Sequence, residues 1–363
     1  MITGARNQLT IGAGALLACA MAAAATAQQA PAAAGPAPLP ERLADTGLYA
    51  DFDRGELHAE ALPFAPQYPL WSDGAAKRRW IRLPAGAAID GRDPDVWVFP
   101  VGTRLWKEFS FGGRPFETRY MERAAEGWRY ATYAWTADGR DARLAPQRGG
   151  RATGADGRTH DLPSGADCRA CHEGHPAAVL GFGALQLSPD RDPLAPHAAP
   201  PPAGAVDLPA LIDRGLLRGA PPSLRSLPPR IAAATPTARA ALGYLHGNCA
   251  GCHNARGPLS DLGLDLEQRV GAPPNTAPGA PRETAVGVPS RFQRAGATLR
   301  IAPGDPARSV LVRRLAATDP VTQMPPLGRS QADAEAEQLV AAWIREGPTA
   351  AAPTRSPPRE KNP

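Results

Sequence analysis

Two pentapeptides in this chain have the residue types and spacing for covalent chemistry: Cys168-Arg169-Ala170-Cys171-His172 and Cys249-Ala250-Gly251-Cys252-His253. Thiols at this spacing can add to the two vinyl groups of one porphyrin, and the histidine that follows then lies beneath the iron and offers an imidazole nitrogen. The pattern predicts two covalently bound haem c groups, each with its iron. Cys168, Cys171, Cys249 and Cys252 are the expected attachment points, and His172 and His253 the proximal iron ligands. Two other readings compete. A zinc site is disfavoured because 77 residues separate Cys171 from Cys249, far from zinc-ribbon spacing, and because zinc requires no histidine directly after the second cysteine. A disulfide framework would rest on four cysteines in a chain of 363 residues, which is thin.

Distal ligands are sought among methionines and the remaining histidines. Beyond residue 27 the chain has only Met121 and Met324. Met324 lies 71 residues after His253 and just before Pro325-Pro326, where proline fixes the backbone and can present a thioether from a stiff loop. It is the expected distal ligand of the second haem, and thioether ligation favours Fe(II). For the first haem, Met121 on a predicted strand and His160 in a predicted loop before the motif are both candidates, and His58, His197 or an open sixth position are further alternatives. His175 follows His172 too closely to cross to the opposite face of the ring. His246 is expected to bond a propionate or a backbone group at the second haem.

The amino terminus reads as an export signal. Arg6 is the only charged side chain before residue 41, residues 8–27 are apolar and alanine-rich, and Ala25-Thr26-Ala27 supplies small residues for cleavage before Gln28. Leu16-Leu17-Ala18-Cys19 is an alternative lipoprotein site, which would tether the chain to a membrane through Cys19. Either outcome predicts a location outside the cytoplasm, periplasmic in the simple case. With 40 basic and 35 acidic residues the net charge is +5, and removal of Arg6 with the signal leaves +4, which four haem propionates would largely cancel. No dense basic run interleaved with aromatics supports nucleic-acid binding.

The elements that must position these residues form an expected α+β chain. Residues 28–40 read as a disordered linker, and residues 41–188 as an antiparallel β-rich domain ending in a haem-binding loop segment. Val96–Phe99, Arg104–Phe111, Pro115–Arg123 and Trp128–Thr136 are strand-like runs, separated by Gly112-Gly113, Glu126-Gly127 and Asp138-Gly139 as turns. In the third run Phe116, Thr118 and Tyr120 should share one face, with Glu117, Arg119 and Met121 on the other. Six of the seven tryptophans fall in or near this sheet, whose core they should build. A Pro-rich strap spans 189–230. Residues 231–347 should be an all-α cytochrome c domain: a helix capped by Thr235 and Pro236 running into Cys249, a helix after Asp305-Pro306, and a terminal helix over Ala332–Arg345. Residues 348–363 read as a disordered tail.

Residues 231–347, and above all the run from Arg300-Ile-Ala-Pro-Gly-Asp-Pro to Gln323-Met324-Pro325-Pro326, resemble class I cytochrome c. The wider chain resembles an uncharacterised family of exported bacterial dihaem c-type cytochromes. Tyr68-Pro-Leu-Trp-Ser-Asp-Gly74, Phe99-Pro-Val-Gly102, Glu117-Thr-Arg119 and Tyr244-Leu-His-Gly-Asn-Cys249 carry that likeness. The resemblance implies haem binding and electron transfer, and no substrate.

The leading functional expectation is a dihaem carrier passing single electrons between periplasmic or membrane redox proteins. The alternative is an oxidoreductase, peroxidase-like or a small-molecule dehydrogenase, working at the first haem with Glu173, Asp161 or Asp167 as acid or base. A third reading makes the β domain a module that docks a partner or a carbohydrate.

Overall fold

Residues 38–153, 157, 159–271 and 280–348 are described by a computed structural model. The expected signal segment, Cys19, most of the linker and the tail after 348 lie outside the described residues.

The chain enters through a tight turn, Leu43–Thr46, and a small hairpin of β1 (Tyr49–Asp51) and β2 (Glu56–Leu57). The main sheet follows: β3 (Leu62–Pro63), β4 (Ala76–Arg82), then, after the short outlying strand β5 (Ile89–Asp90), β6 (Arg104–Phe111), β7 (Arg114–Ala124), β8 (Gly127–Trp135) and β9 (Ala142–Leu144). It is antiparallel with six strands in the order β3-β4-β6-β7-β8-β9. Gly112 and Gly113 both have positive φ, 54° and 78°, as the tight β6–β7 turn demands. Val96–Phe99 is not a strand; Val98 makes only a single bridge to Asp90, held between Pro94 and Pro100.

Both faces of this sheet are covered. On one, Trp80, Trp106, Tyr120, Ala131 and Tyr133 pack with Leu43 and Leu48. On the other, Ile81, Leu105, Met121 and Tyr130 pack with Val179, Phe182 and Leu187 from the segment after the first motif. Trp97 is buried beside Phe182, whereas Trp71 lies outside the sheet, its ring centroid 6.2 Å from that of His197. Thr118 and Tyr120 oppose Tyr133 and Ala131, and Arg119 and Met121 oppose Thr132 and Tyr130, the facing pattern expected from their alternation.

A second hairpin, β10 (Gly150–Thr153) and β11 (Thr159–Leu162), leads into α1 (Gly165–His172). The strap is not bare chain. It carries α2 (Leu208–Asp213), whose Leu208 and Leu211 are buried under the sheet, and β12 (Leu217–Arg218), which pairs in parallel with β5; α3 (Ser223–Ser226) follows.

Then come α4 (Pro236–Cys249), α5 (Ala280–Ala285), β13 (Pro289–Arg294), β14 (Ala297–Leu299), α6 (Val310–Ala316) and α7 (Ala334–Arg345). The expectation of an all-α C-terminal domain is therefore corrected. Residues 289–299 form an antiparallel hairpin whose turn residues Ala295 and Gly296 take φ of 51° and 79°. Further bridges join Val286 to Ile301 and Leu299 to Ser309. Gly287 at φ 72° and Pro289 stop helix growth, and alternation through Phe292 to Leu299 then favours extended chain. The architecture mixes helix and strand on both sides of the second motif. The described residues from Leu39 onward form one unit, and no described helix is long and apolar enough to cross a membrane.

Candidate functional site

The first motif occupies α1 itself, where sequence suggested an irregular entry. Ser164 caps the helix by accepting from Asp167 N at 3.1 Å, while the Asp167 carboxylate accepts from Ser164 N at 2.8 Å. Asp167 is thereby committed to the cap. Asp161 pairs with Arg151 on the surface, and Glu173 is exposed, so none of the three suggested acids is aimed at a buried reaction centre.

His172 Nδ1 lies 2.7 Å from Ala178 O. A carbonyl can only accept, so Nδ1 carries the proton and Nε2 keeps its lone pair. Burial, the dominant effect, lowers the His172 pKa to about 4 and keeps the ring neutral at pH 7. The Tyr130 ring packs on it with centroids 5.4 Å apart.

The second motif begins on the last residue of α4. Thr235 accepts from Ala238 N at 3.0 Å and Pro236 opens the helix, as expected. This helix packs directly on the Tyr68–Gly74 segment. Asn248 Oδ1 accepts from Trp71 N at 2.8 Å, and its Nδ2 donates to Pro69 O at 3.2 Å. Gly243 and Gly247 face Tyr68 so closely that an added Cβ would overlap its ring and its backbone respectively. His253 is held by N–H donation to Cys249 O at 2.9 Å; its Nδ1 is buried with no hydrogen-bond partner, and burial lowers its pKa.

The two motifs meet. Cys252 Sγ donates weakly to Ala170 O at 3.9 Å, and the Cys171 and Cys252 thiols lie close enough to shift each other's acidity, that of Cys171 downward. Asn254 Nδ2 donates to Gly174 O at 2.9 Å and to Ala250 O at 3.0 Å, stitching the two segments. At Gly174 a side chain would strike Ala170 O and Gly251 O, and at Gly257 it would strike Gly174 O. Nearby, Ala177 N donates to His175 Nδ1, so Nε2 bears the proton and donates to Glu267 at 2.9 Å; Arg269 also grips Glu267. Asn254 and Glu267 were not singled out from the sequence, because separations of 80 and 92 residues give no sign of contact.

Met324 sits in a loop knitted by the Arg329 guanidinium, which donates to Ala317 O and Gln331 O, both at 2.8 Å, and to Arg314 O at 3.2 Å. Met324 N donates to the same Arg314 O at 3.0 Å. Arg329 acts electrostatically on Cys249, and Arg314 on His253, so both cations tie the methionine loop to the second motif. From the other side Asp73 accepts from Ser330 N and Gln331 N, each at 2.9 Å.

For the first motif, Met121 is buried in the cluster that includes Cys168. His160 lies on β11 rather than in a loop, its ring clustered with those of Phe111 and Phe116 at centroid distances of 4.5 and 4.4 Å, with Nε2 buried and unpartnered. His58 accepts from Glu60 N at the surface, and His197 donates to Asp333 at 2.9 Å. His246 Nδ1 accepts from the Gln268 backbone N–H at 3.1 Å.

No disulfide joins the four motif cysteines. Among the described residues no three His, Cys, Asp or Glu side chains converge to hold a bare metal ion. A porphyrin needs a different donor set, and the residues fit one: cysteines at the attachment spacing that are not paired with each other, and at His172 a neutral ring whose Nε2 is left as the donor. No protein-family model matches this chain, and no curated protein or solved structure does either. The likeness to dihaem cytochromes therefore stands on the motifs alone.

Proposed function

We propose that this chain is an exported dihaem c-type cytochrome that carries single electrons between redox proteins in the periplasm. One observation above all supports the reading: two haem-attachment motifs distant in sequence are packed against each other, with Cys171 beside Cys252. The strap need not hold the two centres together, because the motifs do so through Asn254 and closely packed glycines.

Bound haem supplies a one-electron Fe(III)/Fe(II) couple. The chain's own part is positional. His172 offers Nε2 because Ala178 O fixes its tautomer, and His253 stands at the matching place in the second motif. Met324 would complete the second site from its stiff loop, and Met121 or His160 would complete the first. Asp161, Asp167 and Glu173 are solvated or used in a cap, which favours carrier over catalyst.

Redox titration of the haem-loaded protein should resolve two one-electron steps, and hydrogen peroxide with a reduced donor should be consumed only at the background rate. Sustained peroxide turnover would instead assign catalysis to the first haem.

A further inference from the structure

The face of the main sheet that looks toward the first motif carries an unusual row. Register places Arg79 opposite Lys107 and Lys107 opposite Arg119, on three adjacent strands and one face. Lys77 lies one pair further along β4 on that face, and Met121 and Tyr130 lie on the other side of the row. Like charges set directly opposite each other destabilise a sheet, and burial multiplies the cost.

Among the described residues Glu117 is the carboxylate this patch of the sheet carries, and Arg119 already holds it at 2.5 Å; Asp73 and Asp333 act on Lys77 from outside the sheet. Arg79 and Lys107 are left on this face without a carboxylate of their own, and Lys77 has only the more distant pull of Asp73 and Asp333. Lys77 Nζ donates to Ala75 O, and Lys107 Nζ lies 4.9 Å from the Phe109 ring, which Arg119 also covers at 4.4 Å. Among the described residues Lys77, Arg79 and Lys107 have no carboxylate at ion-pair distance.

All four side chains are half-buried and keep some accessible surface, so a solute can reach them. Burial first, then Arg79, Arg119 and Lys77, push the Lys107 ammonium well below its ordinary range. The row adjoins the motif: Tyr130 of the same face packs on His172, and Arg119 acts electrostatically on Cys168 and Cys171.

We propose that Arg79, Lys107 and Arg119, with Lys77 beside them, form a built anion site that binds a carboxylate or a comparable small oxyanion. A partly buried anion relieves the mutual repulsion of the row, and the arginines offer paired N–H donors to it. Two sources share this chemistry: the propionates of a haem on Cys168 and Cys171, which rests on the function proposed above, or a diffusible anion reaching the row from solvent.

The test uses the full exported protein with Lys107→Gln, Arg119→Gln and the milder Lys77→Gln and Lys107→Arg variants. Resonance Raman reads the propionate bending bands, and thermal shift reads saturable stabilisation by inorganic phosphate or succinate. Propionate bands that move in the Gln variants and are restored in Lys107→Arg, with no response to added anions, assign the site to haem. Saturable stabilisation of the wild type, weakened at least tenfold in apparent affinity by Lys107→Gln or Lys77→Gln, assigns it to a diffusible anion. Unmoved bands together with no anion response in the wild type overturn the proposal. A protein found to lack haem removes the functional reading, while the phosphate and succinate measurement still decides the anion site.

Discussion

Gly247→Ala will destabilise the protein by about 3 kcal/mol or more, at the upper end of core overpacking, while Gly150→Ala will leave stability nearly unchanged. Gly247 lies on α4 where the helix touches the Tyr68 backbone, so its Cβ meets a carbonyl that no rotamer change can move. At Gly150 the corresponding Cβ meets nothing within 4 Å. The expected fall in Tm for Gly247→Ala is on the order of 5–10 °C, read by thermal denaturation. Gly243→Ala supplies an internal comparison. Its clash is with the Tyr68 ring, so Tyr68→Ala should relieve the effect of Gly243→Ala and not that of Gly247→Ala. Equal tolerance at Gly247 and Gly150 would mean that α4 and the Tyr68–Gly74 segment are not packed as described.

Met324→Ala will abolish the near-infrared thioether–Fe(III) band and lower one haem potential by on the order of hundreds of millivolts. The effect should stay local. The loop is held by Arg329, by Asp73 and by its own backbone bond to Arg314 O, none of which uses the methionine side chain. Absorption spectroscopy and potentiometry of the oxidised and reduced protein provide the check. A band that survives Met324→Ala and vanishes in Met121→Ala would move the thioether to the first haem. Unchanged band and potentials in both variants would remove methionine from the ligand set.

Local signals were the legible part of this chain. Thr235-Pro236 announced the start of α4, the glycine pair at 112–113 announced a hairpin, and alternation along β7 gave the correct facing of Tyr120 and Met121. The terminal helix was visible from its apolar side and begins with an Asp333 cap. The all-α reading of the C-terminal part failed because a class-level likeness outweighed Gly287, Pro289 and the Ala295-Gly296 turn, which together specify a hairpin. His160 was read as a loop residue because Pro163 and Gly165 follow it, yet pairing with Ala152 makes it a strand residue.

Contacts between distant segments were not legible. Nothing in the spacing of two Cys-x-x-Cys-His motifs says that they touch, although Gly174 and Gly257 mark places where backbones approach closely. The cation row had a faint signal, since Lys77 and Arg79 alternate with exposed Ala76 and Arg78 on a strand whose two faces differ in burial. Only strand register converts that alternation into a row of basic side chains on one face.

The central claim is that four cysteine sulfurs fasten two iron porphyrins to this polypeptide. Pyridine haemochrome analysis of the protein, exported from cells with a working cytochrome maturation system, measures it directly. The account predicts two haems per chain, falling to one when Cys168 and Cys171 are both replaced by alanine. A colourless protein, or one that carries zinc at full occupancy, would contradict it.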